Sequence, residues 1–338
     1  MPISVPPGTR QNAVLTKAEA TMTLNLHQLK LADDAFWAAE DRGADAMARE
    51  PVGHFHGLLL DAPARVDLAR RNTLPIGIYH HGTLRDLAVT KLPRLGVLTA
   101  INPATNRLFL ASCAGLDRDD DLLEPPPRDP ASLPEGDMST SYAAELRELL
   151  DLPWSPQTLW LTVQYRAVVS NRVAVELVGH GPAQPGSDRA AGALGLPGGR
   201  AANLPSMSRL RIEGTPAEQA LPPQTGVLLS GSRVVDGRRD DPWWLQVGLR
   251  LAPQGRSAVT VHVLRLGAND GSVALAQVLV EATTDAGDGS AIARFSVDLR
   301  RMAPAAVAQT YFVTAFTGTE MSAPWIMSVA ATAETPWS

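Results

Sequence analysis

The string GLLLDAPARVD at residues 57–67 recurs 169 residues later as GVLLSGSRVVD at residues 226–236. Five positions are identical, and in the first string these are Gly57, Leu59, Leu60, Val66 and Asp67. Strings that recur in a fixed order indicate repeated structural units. We therefore predict that one fold occurs twice along the chain.

A second pair of strings follows in the same order. Residues 157–175, QTLWLTVQYRAVVSNRVAV, align with residues 309–327, QTYFVTAFTGTEMSAPWIM, at a separation of 152 residues, and Trp160 meets Phe312. Because this separation is 17 residues shorter than the first, the first copy should hold about 17 additional residues. The acidic, Pro-rich residues 116–140 supply them, and we interpret that segment as an inserted surface loop. Chance similarity between β-like strings is the alternative.

The remaining pattern is that of strands. Apolar and polar residues alternate from Ala293 to Leu299 and again from Val259 to Val263, as in strands with one buried face. Similar runs, among them residues 226–235, are separated by Gly-rich turn strings and give about seven strands in the second half, enough for two stacked sheets. The first half shows similar strand patterns, beginning with one at residues 21–29. Helical patterns occur at residues 33–48 and 143–150.

These patterns predict a mostly β protein. We expect two tandem, internally duplicated, antiparallel β-sandwich domains of jelly-roll-like type, with short helical additions in the first. The predicted domains are residues 1–180 and 207–338, joined by a Gly/Pro-rich linker at residues 181–206.

Composition narrows the possible partners. Of the 338 residues, 45% are hydrophobic and 19% are charged, which suffices for packed cores, and the net charge is −5. No basic run interleaves with aromatic residues, so nucleic acid is not an expected partner. We find no signal peptide and no run long enough to cross a membrane, so the expected location is the cytoplasm. Cys113 is the only cysteine, and we expect a buried, inert thiol.

Histidines form the sharpest candidate site. His54 and His56 flank Phe55, and side chains two apart on a strand project to the same face. His80 and His81 end the next predicted strand, and if the two strands are neighbours their imidazoles could bind a divalent transition metal such as Zn, Cu or Fe. The alternative is a solvated strand face, because no nearby Glu or Cys completes a known metal-binding spacing.

Aromatic residues suggest a different function. The chain has seven tryptophans. Trp is enriched at the energetic centres of protein interfaces. The four interface candidates are Trp243, Trp244, Trp325 and Trp337. Packing in the core is the alternative at each of these positions.

No catalytic residue can be assigned, because phosphate-binding, dinucleotide-binding and nucleophile-elbow motifs are absent from the sequence. We therefore favour a non-catalytic binding or assembly protein that associates with itself or with a protein partner. A metal-dependent enzyme or metal-binding protein centred on the histidines is the first alternative. A carbohydrate or small-ligand module is the second, and exposure of both Trp243 and Trp244 would favour it.

Overall fold

Strands dominate the structure, a computed structural model in which the described helices are single turns. The described residues are 56–84, 92–113, 133, 135–179, 208–216, 218, 220–237, 241–253, 258–285, 287–303, 308–318 and 320–330. The prediction of a mostly β protein is confirmed. Among the described residues, no helix has the length and hydropathy needed to cross a membrane.

The chain divides into two compact units. The first comprises Met1–Ala100 and Phe109–Asn203, and the second comprises Ile101–Leu108 and Leu204–Ser338. The division falls within the linker predicted at residues 181–206. The grouping of Ile101–Leu108 with the second unit has no counterpart in the sequence prediction.

The first sandwich is built from the described strands before residue 180. In chain order these elements are β1 Gly57–Asp61, β2 Arg65–Asp67, β3 Pro75–Thr83, α1 Leu92–Leu95, β4 Val97–Asn102, β5 Arg107–Ser112, β6 Asp137–Glu145, α2 Leu146–Leu149, β7 Gln157–Tyr165, β8 Val168–Val169 and β9 Val173–Val178. One sheet has the order β1-β3-β6, and the other has the order β2-β9-β7-β4-β5, with β8 paired to β7. Side chains from both sheets form one apolar core.

The second sandwich follows residue 207. Its elements are β10 Ser208–Glu213, β11 Thr215–Pro216, β12 Gly226–Gly231, β13 Val234–Asp236, β14 Trp244–Leu251, β15 Ala258–Gly267, β16 Val273–Glu281, β17 Thr283–Thr284, β18 Ala291–Asp298, a 3₁₀ turn Leu299–Met302, β19 Thr310–Thr317, β20 Glu320–Met321 and β21 Trp325–Ala330. One sheet has the order β12-β14-β18-β11, with β17 paired to β18. The other has the order β13-β21-β19-β15-β16-β10, with β20 paired to β19.

Strand order and register correspond between the two units. The order β1-β3-β6 corresponds to β12-β14-β18, and β2-β9-β7-β4-β5 corresponds to β13-β21-β19-β15-β16. Gly57 pairs with His81, and 169 residues later Gly226 pairs with Arg250. Both glycines have positive φ, 141° and 156°, which residues with a Cβ rarely adopt. This backbone requirement explains why glycine begins both recurring strings.

The second pair of strings shows the same agreement. Trp160 pairs with Ala174, and 152 residues later Phe312 pairs with Ile326. The Ser170 hydroxyl accepts a hydrogen bond from Val163 N, as the Ser322 hydroxyl does from Ala315 N. These correspondences support the proposal that the sandwiches arose by duplication. Duplication itself remains a proposal.

The units are not purely antiparallel. Three described strand pairs are parallel: β2 with β9, β13 with β21, and β10 with β16. In each unit the chain leaves one sheet at the end of β1 or β12 and immediately enters the other sheet as β2 or β13. This direct crossing leaves β2 and β13 parallel to their neighbours.

The helix predicted at residues 143–150 is largely wrong. Residues 143–145 belong to β6, where Glu145 pairs with Pro75, and only Leu146–Leu149 form a helical turn. The Glu145 carboxylate accepts hydrogen bonds from Leu74 N at 2.7 Å and from Arg147 N at 3.2 Å. Pairing with β3 therefore overrides the local helix propensity, and the same carboxylate caps the single turn.

The loop predicted at residues 116–140 extends too far, because its last four residues belong to a strand. Asp137–Thr140 lie in β6 and pair with residues 80–83 of β3. This pairing is a long-range contact, so the polar local sequence does not indicate it. Residues 116–132 and the strand and helix predicted at residues 21–29 and 33–48 lie outside the described residues.

Asn171 protects the outer edge of β1. Its amide accepts a hydrogen bond from Leu60 N at 2.7 Å and donates one to Leu60 O at 2.8 Å. A single side chain thus replaces the neighbouring strand that an edge residue lacks. The corresponding position in the second unit holds Ala323, which cannot form these bonds.

We expect Asn171→Ala to destabilise the protein by about 1–3 kcal/mol, because the fully buried Leu60 would lose partners for both backbone groups. Asn171→Asp should also be destabilised, since its carboxylate can still accept from the Leu60 amide but places an acceptor oxygen against the Leu60 carbonyl. Urea unfolding measures the effect, and hydrogen exchange at the Leu60 amide localises it. Equal stability and exchange in wild type and Asn171→Ala would contradict the role given to this amide.

Candidate functional site

The paired strands β1, β3 and β6 determine where the histidines lie. His80 and His81 are consecutive residues of β3, so their side chains project to opposite faces of the sheet. His80 is 4% exposed and faces the core, where its ring lies edge-on to Tyr165 at 5.0 Å between centroids. The structure therefore does not bring His80 together with His81.

His56 and His81 do lie together. Their ring centroids are 4.7 Å apart, and His56 Nε2 lies 3.6 Å from the Oδ2 atom of Asp137. Tyr79 stacks on His81 from the same face of β3, with 6.4 Å between the ring centroids. The Nδ1 atom of His81 is buried and has no hydrogen-bond partner among the described residues. Two imidazoles and one carboxylate thus share a corner of the first unit.

This corner falls short of a complete metal site. Within the described parts of the chain, no group of three or more His, Cys, Asp or Glu residues has the arrangement to hold a metal ion. His54 lies outside the described residues. Of the four predicted ligands, only His56 and His81 are therefore seen to be neighbours, and the metal site stays a prediction.

The corresponding corner of the second unit holds a different set of charges. Arg250, at the position of His81, lies 3.1 Å from an oxygen of Asp285 and 2.8 Å from an oxygen of Asp288. Its Nε also donates to the Pro222 carbonyl at 3.0 Å. These contacts tie the β17–β18 hairpin to β14. A structural ion pair is thus one function that this corner of the fold serves.

The predicted interface tryptophans separate into different environments. Trp243 is 2% exposed and packs in the core, while Trp244 is 46% exposed on the outer face of its sheet. Trp325 is half-buried, with the Arg233 guanidinium 5.2 Å from its ring centroid. Trp337 lies outside the described residues. The carbohydrate alternative is favoured by exposure of both Trp243 and Trp244, and only Trp244 meets that condition.

Large apolar side chains are exposed mainly in the second unit. Among the described residues these are Leu228 at 38%, Val234 at 68%, Trp244 at 46%, Leu279 at 67% and Ile326 at 42%, against Val168 at 37% in the first unit. Leu59 corresponds to Leu228 in register and is only 4% exposed. The two sandwiches therefore present different surfaces from equivalent strands.

Asp61 is a group that sequence reasoning missed. It ends β1 opposite Gly77, and its Oδ1 accepts a hydrogen bond from Ala62 N at 2.9 Å. Its Oδ2 is buried without a hydrogen-bond partner among the described residues. In the second unit the corresponding pair is Ser230 and Gln246, whose side chains hydrogen-bond across the strands. Because Gly77 has no side chain, Asp61 lacks such a partner.

Burial raises the pKa of the Asp61 carboxyl to about 7, and the hydrogen bond from Ala62 only partly opposes this shift. Burial likewise raises the pKa of the Cys113 thiol to about 12, in accord with the expected inert cysteine. Asp61 is therefore a carboxyl that changes charge near neutral pH.

Comparison with known proteins adds no family. No protein-family model matches the chain. No curated protein matches its sequence.

We expect Asp61 to make stability depend on pH. The folded state retains a proton that the unfolded chain releases above about pH 4, so stability should fall as the pH rises towards the folded pKa of about 7 and should lose no more above it. Asp61→Asn should remove this component and be more stable than wild type at pH 8. Urea unfolding between pH 5 and pH 8.5 measures the free energy of unfolding of wild type and of Asp61→Asn as a function of pH.

Asp151→Asn is the matched control, because Asp151 is an exposed carboxylate in the same unit. It should follow the wild-type pH profile. An Asp61→Asn profile parallel to that of wild type would show that the carboxyl ionises normally.

Proposed function

We propose that the protein is a non-catalytic binding or assembly protein that acts through protein–protein contacts of its second unit, in the cytoplasm. The observation that carries this proposal is the exposure of Val234 and Ile326 near one edge of the second sandwich. They are 68% and 42% exposed. Burial of such side chains at an interface is favourable, at about 1.5–3 kcal/mol for each fully buried one.

The two side chains form a local patch. Val234 pairs with Ser328, and Ile326 lies two residues before that serine, on the same face of β21. β13 is the last strand of its sheet and pairs only with β21 among the described strands. An edge strand with exposed apolar residues favours association with another chain. We propose a second copy of this chain as the partner, because a patch at a sheet edge can pair with itself across a twofold axis.

We expect the double variant Val234→Lys and Ile326→Lys to be monomeric, since charges at the patch would have to be buried without partners. Wild type should show concentration-dependent association. Light scattering coupled to size-exclusion chromatography, from micromolar to hundreds of micromolar protein, measures the mass. Thermal unfolding of the dilute variant should match that of wild type, because the side chains are exposed.

Val168→Lys is the control, because Val168 is an exposed valine on a short strand of the first unit. It should associate as wild type does. A wild-type chain that remains monomeric over the whole concentration range would contradict the self-association proposal. Recovery of a different bound protein from the native extract would show that the partner is that protein and not a second copy of this chain.

A second candidate function is metal binding, favoured by the proximity of His56 and His81. Two imidazoles beside the Asp137 carboxylate supply nitrogen and oxygen donors suited to Zn²⁺ or Cu²⁺. We expect Zn²⁺ titration by calorimetry to show binding that is lost in His56→Ala and in His81→Ala. His80→Phe, on the opposite face, is the control and should leave binding unchanged. Equal binding in all four proteins would assign the metal to other residues.

A further inference from the structure

A buried arginine lies inside the second sandwich. Arg265 is 4% exposed and belongs to β15, on the face that lines the core. Its guanidinium carbon lies 4.5 Å from the centroid of the Tyr311 ring. Its Nη1 donates to the Ser272 hydroxyl over a long 3.4 Å. Its Nε has no hydrogen-bond partner among the described residues.

The nearest acidic group does not neutralise this charge directly. Asp270 is exposed, and its two oxygens accept hydrogen bonds from Ser272 N and from the Gln309 amide, each at 2.9 Å. Arg265 makes no ion pair with a carboxylate of the described residues. Burial lowers the pKa of its guanidinium, while Tyr311 and Asp270 oppose that shift. A buried cation without a close counterion is costly.

A second unpartnered donor lies beside the same tyrosine. Trp243 is 2% exposed, and its ring centroid is 6.4 Å from that of Tyr311. Its Nε1 is buried and has no hydrogen-bond partner in the described part of the chain. Buried donors without partners are rare in folded proteins, and an unseen water or ion is a common reason for them. Tyr311 thus lies beside two buried side chains that each carry a donor without a hydrogen-bond partner among the described residues.

The fold does not require these residues. The position corresponding to Trp243 is Leu74, since both backbone amides donate to the acidic residue that caps the following turn. The position corresponding to Tyr311 is Leu159, since their cross-strand partners are Met327 and Val175. Both leucines are fully buried in the core of the first unit.

Arg265 itself corresponds to Ala100. Each lies six residues before the residue with positive φ in the turn that follows its strand, Asn106 at 53° and Gly271 at 62°. Ala100 is fully buried in the apolar core. The first sandwich thus fills with Leu, Ala and Leu the positions at which the second holds Trp, Arg and Tyr.

We propose that the second unit binds a small oxyanion at Arg265. The guanidinium presents Nε and the Nη atoms in a planar fork that matches a carboxylate or a phosphate. The Tyr311 side chain already takes one hydrogen bond of the guanidinium, and the bond to Ser272 is long. The Nε of Arg265 and the Nε1 of Trp243, which have no partner among the described residues, are the donors left for the ligand. Inorganic phosphate and a ligand carboxylate share this chemistry, and binding of either would supply the missing negative charge.

The test uses the full chain with phosphate, sulfate or acetate, each compared with chloride at equal ionic strength and pH 7. Calorimetry gives the dissociation constant, and thermal unfolding gives the stabilisation on binding. Wild type should bind phosphate or acetate and unfold at a higher temperature than in chloride. Binding of phosphate and sulfate alone identifies an inorganic oxyanion, and binding of acetate alone identifies a carboxylate ligand.

Arg265→Met should raise the dissociation constant at least tenfold and should be no less stable than wild type in chloride, because an apolar residue fits the corresponding position of the first unit. Trp243→Phe keeps an aromatic ring, removes one donor and should weaken binding about fivefold to tenfold. It remains informative if Arg265→Met fails to fold. Arg294→Met removes an exposed arginine and should bind as wild type does.

Two results would overturn the proposal. One is a wild-type protein that responds to phosphate, sulfate and acetate only as it does to chloride. The other is anion binding that is the same in wild type, in Trp243→Phe and in whichever Arg265 variant folds, since binding would then involve other cationic groups.

Discussion

In each unit, the register between two strands, β1 with β3 and β12 with β14, determines which side chains the sheet places in the core. In both units a strand that begins at a glycine with positive φ pairs with the strand two elements later, and the pairing fixes which side chains enter the core. A shift by one residue would exchange the two faces of the strand. In β1 it would bring Leu59 inward in place of Leu58, and it would separate Leu60 from Asn171. The histidine corner, the buried carboxyl and the Arg250 ion pairs all depend on this one alignment.

Much of this fold can be predicted from the chain because period-2 alternation and recurring strings are local signals. Alternation from Ala293 to Leu299 identifies β18 and its inner face without knowledge of its neighbours. The three-residue strands β2 and β13 carry no such signal. Residues 226–235 read as one strand, yet the chain crosses between the sheets after Gly231. The helix prediction is wrong at residues 143–145 for a related reason, since pairing with β3 overrides the local helix propensity.

The site residues also differ in whether local sequence patterns predict their environment. Consecutive positions on a strand face opposite ways, so the separation of His80 from His81 and of Trp243 from Trp244 follows once a strand is placed. The behaviour of Asp61 does not follow from its neighbours in sequence. Burial raises the pKa of its carboxyl, which lies opposite Gly77 at a position where the second unit has Gln246. Asp61 and Gly77 become neighbours only through the pairing of β1 with β3, and the local sequence around either residue does not specify that pairing.

The two sandwiches share their backbone plan and differ in what they bury and expose. The first closes its core with aliphatic residues at Leu74, Ala100 and Leu159, and the second places polar atoms at the same three positions. Apolar packing is the stabilising solution for a buried site, because an unpaired charge or donor costs free energy. The second unit lacks that apolar packing at Trp243, Arg265 and Tyr311, and the proposed oxyanion site rests on this difference. The exposed Val234 and Ile326 lie in the same unit, so the proposals of self-association and oxyanion binding both rest on residues of the second sandwich, whereas the proposed metal site lies in the first.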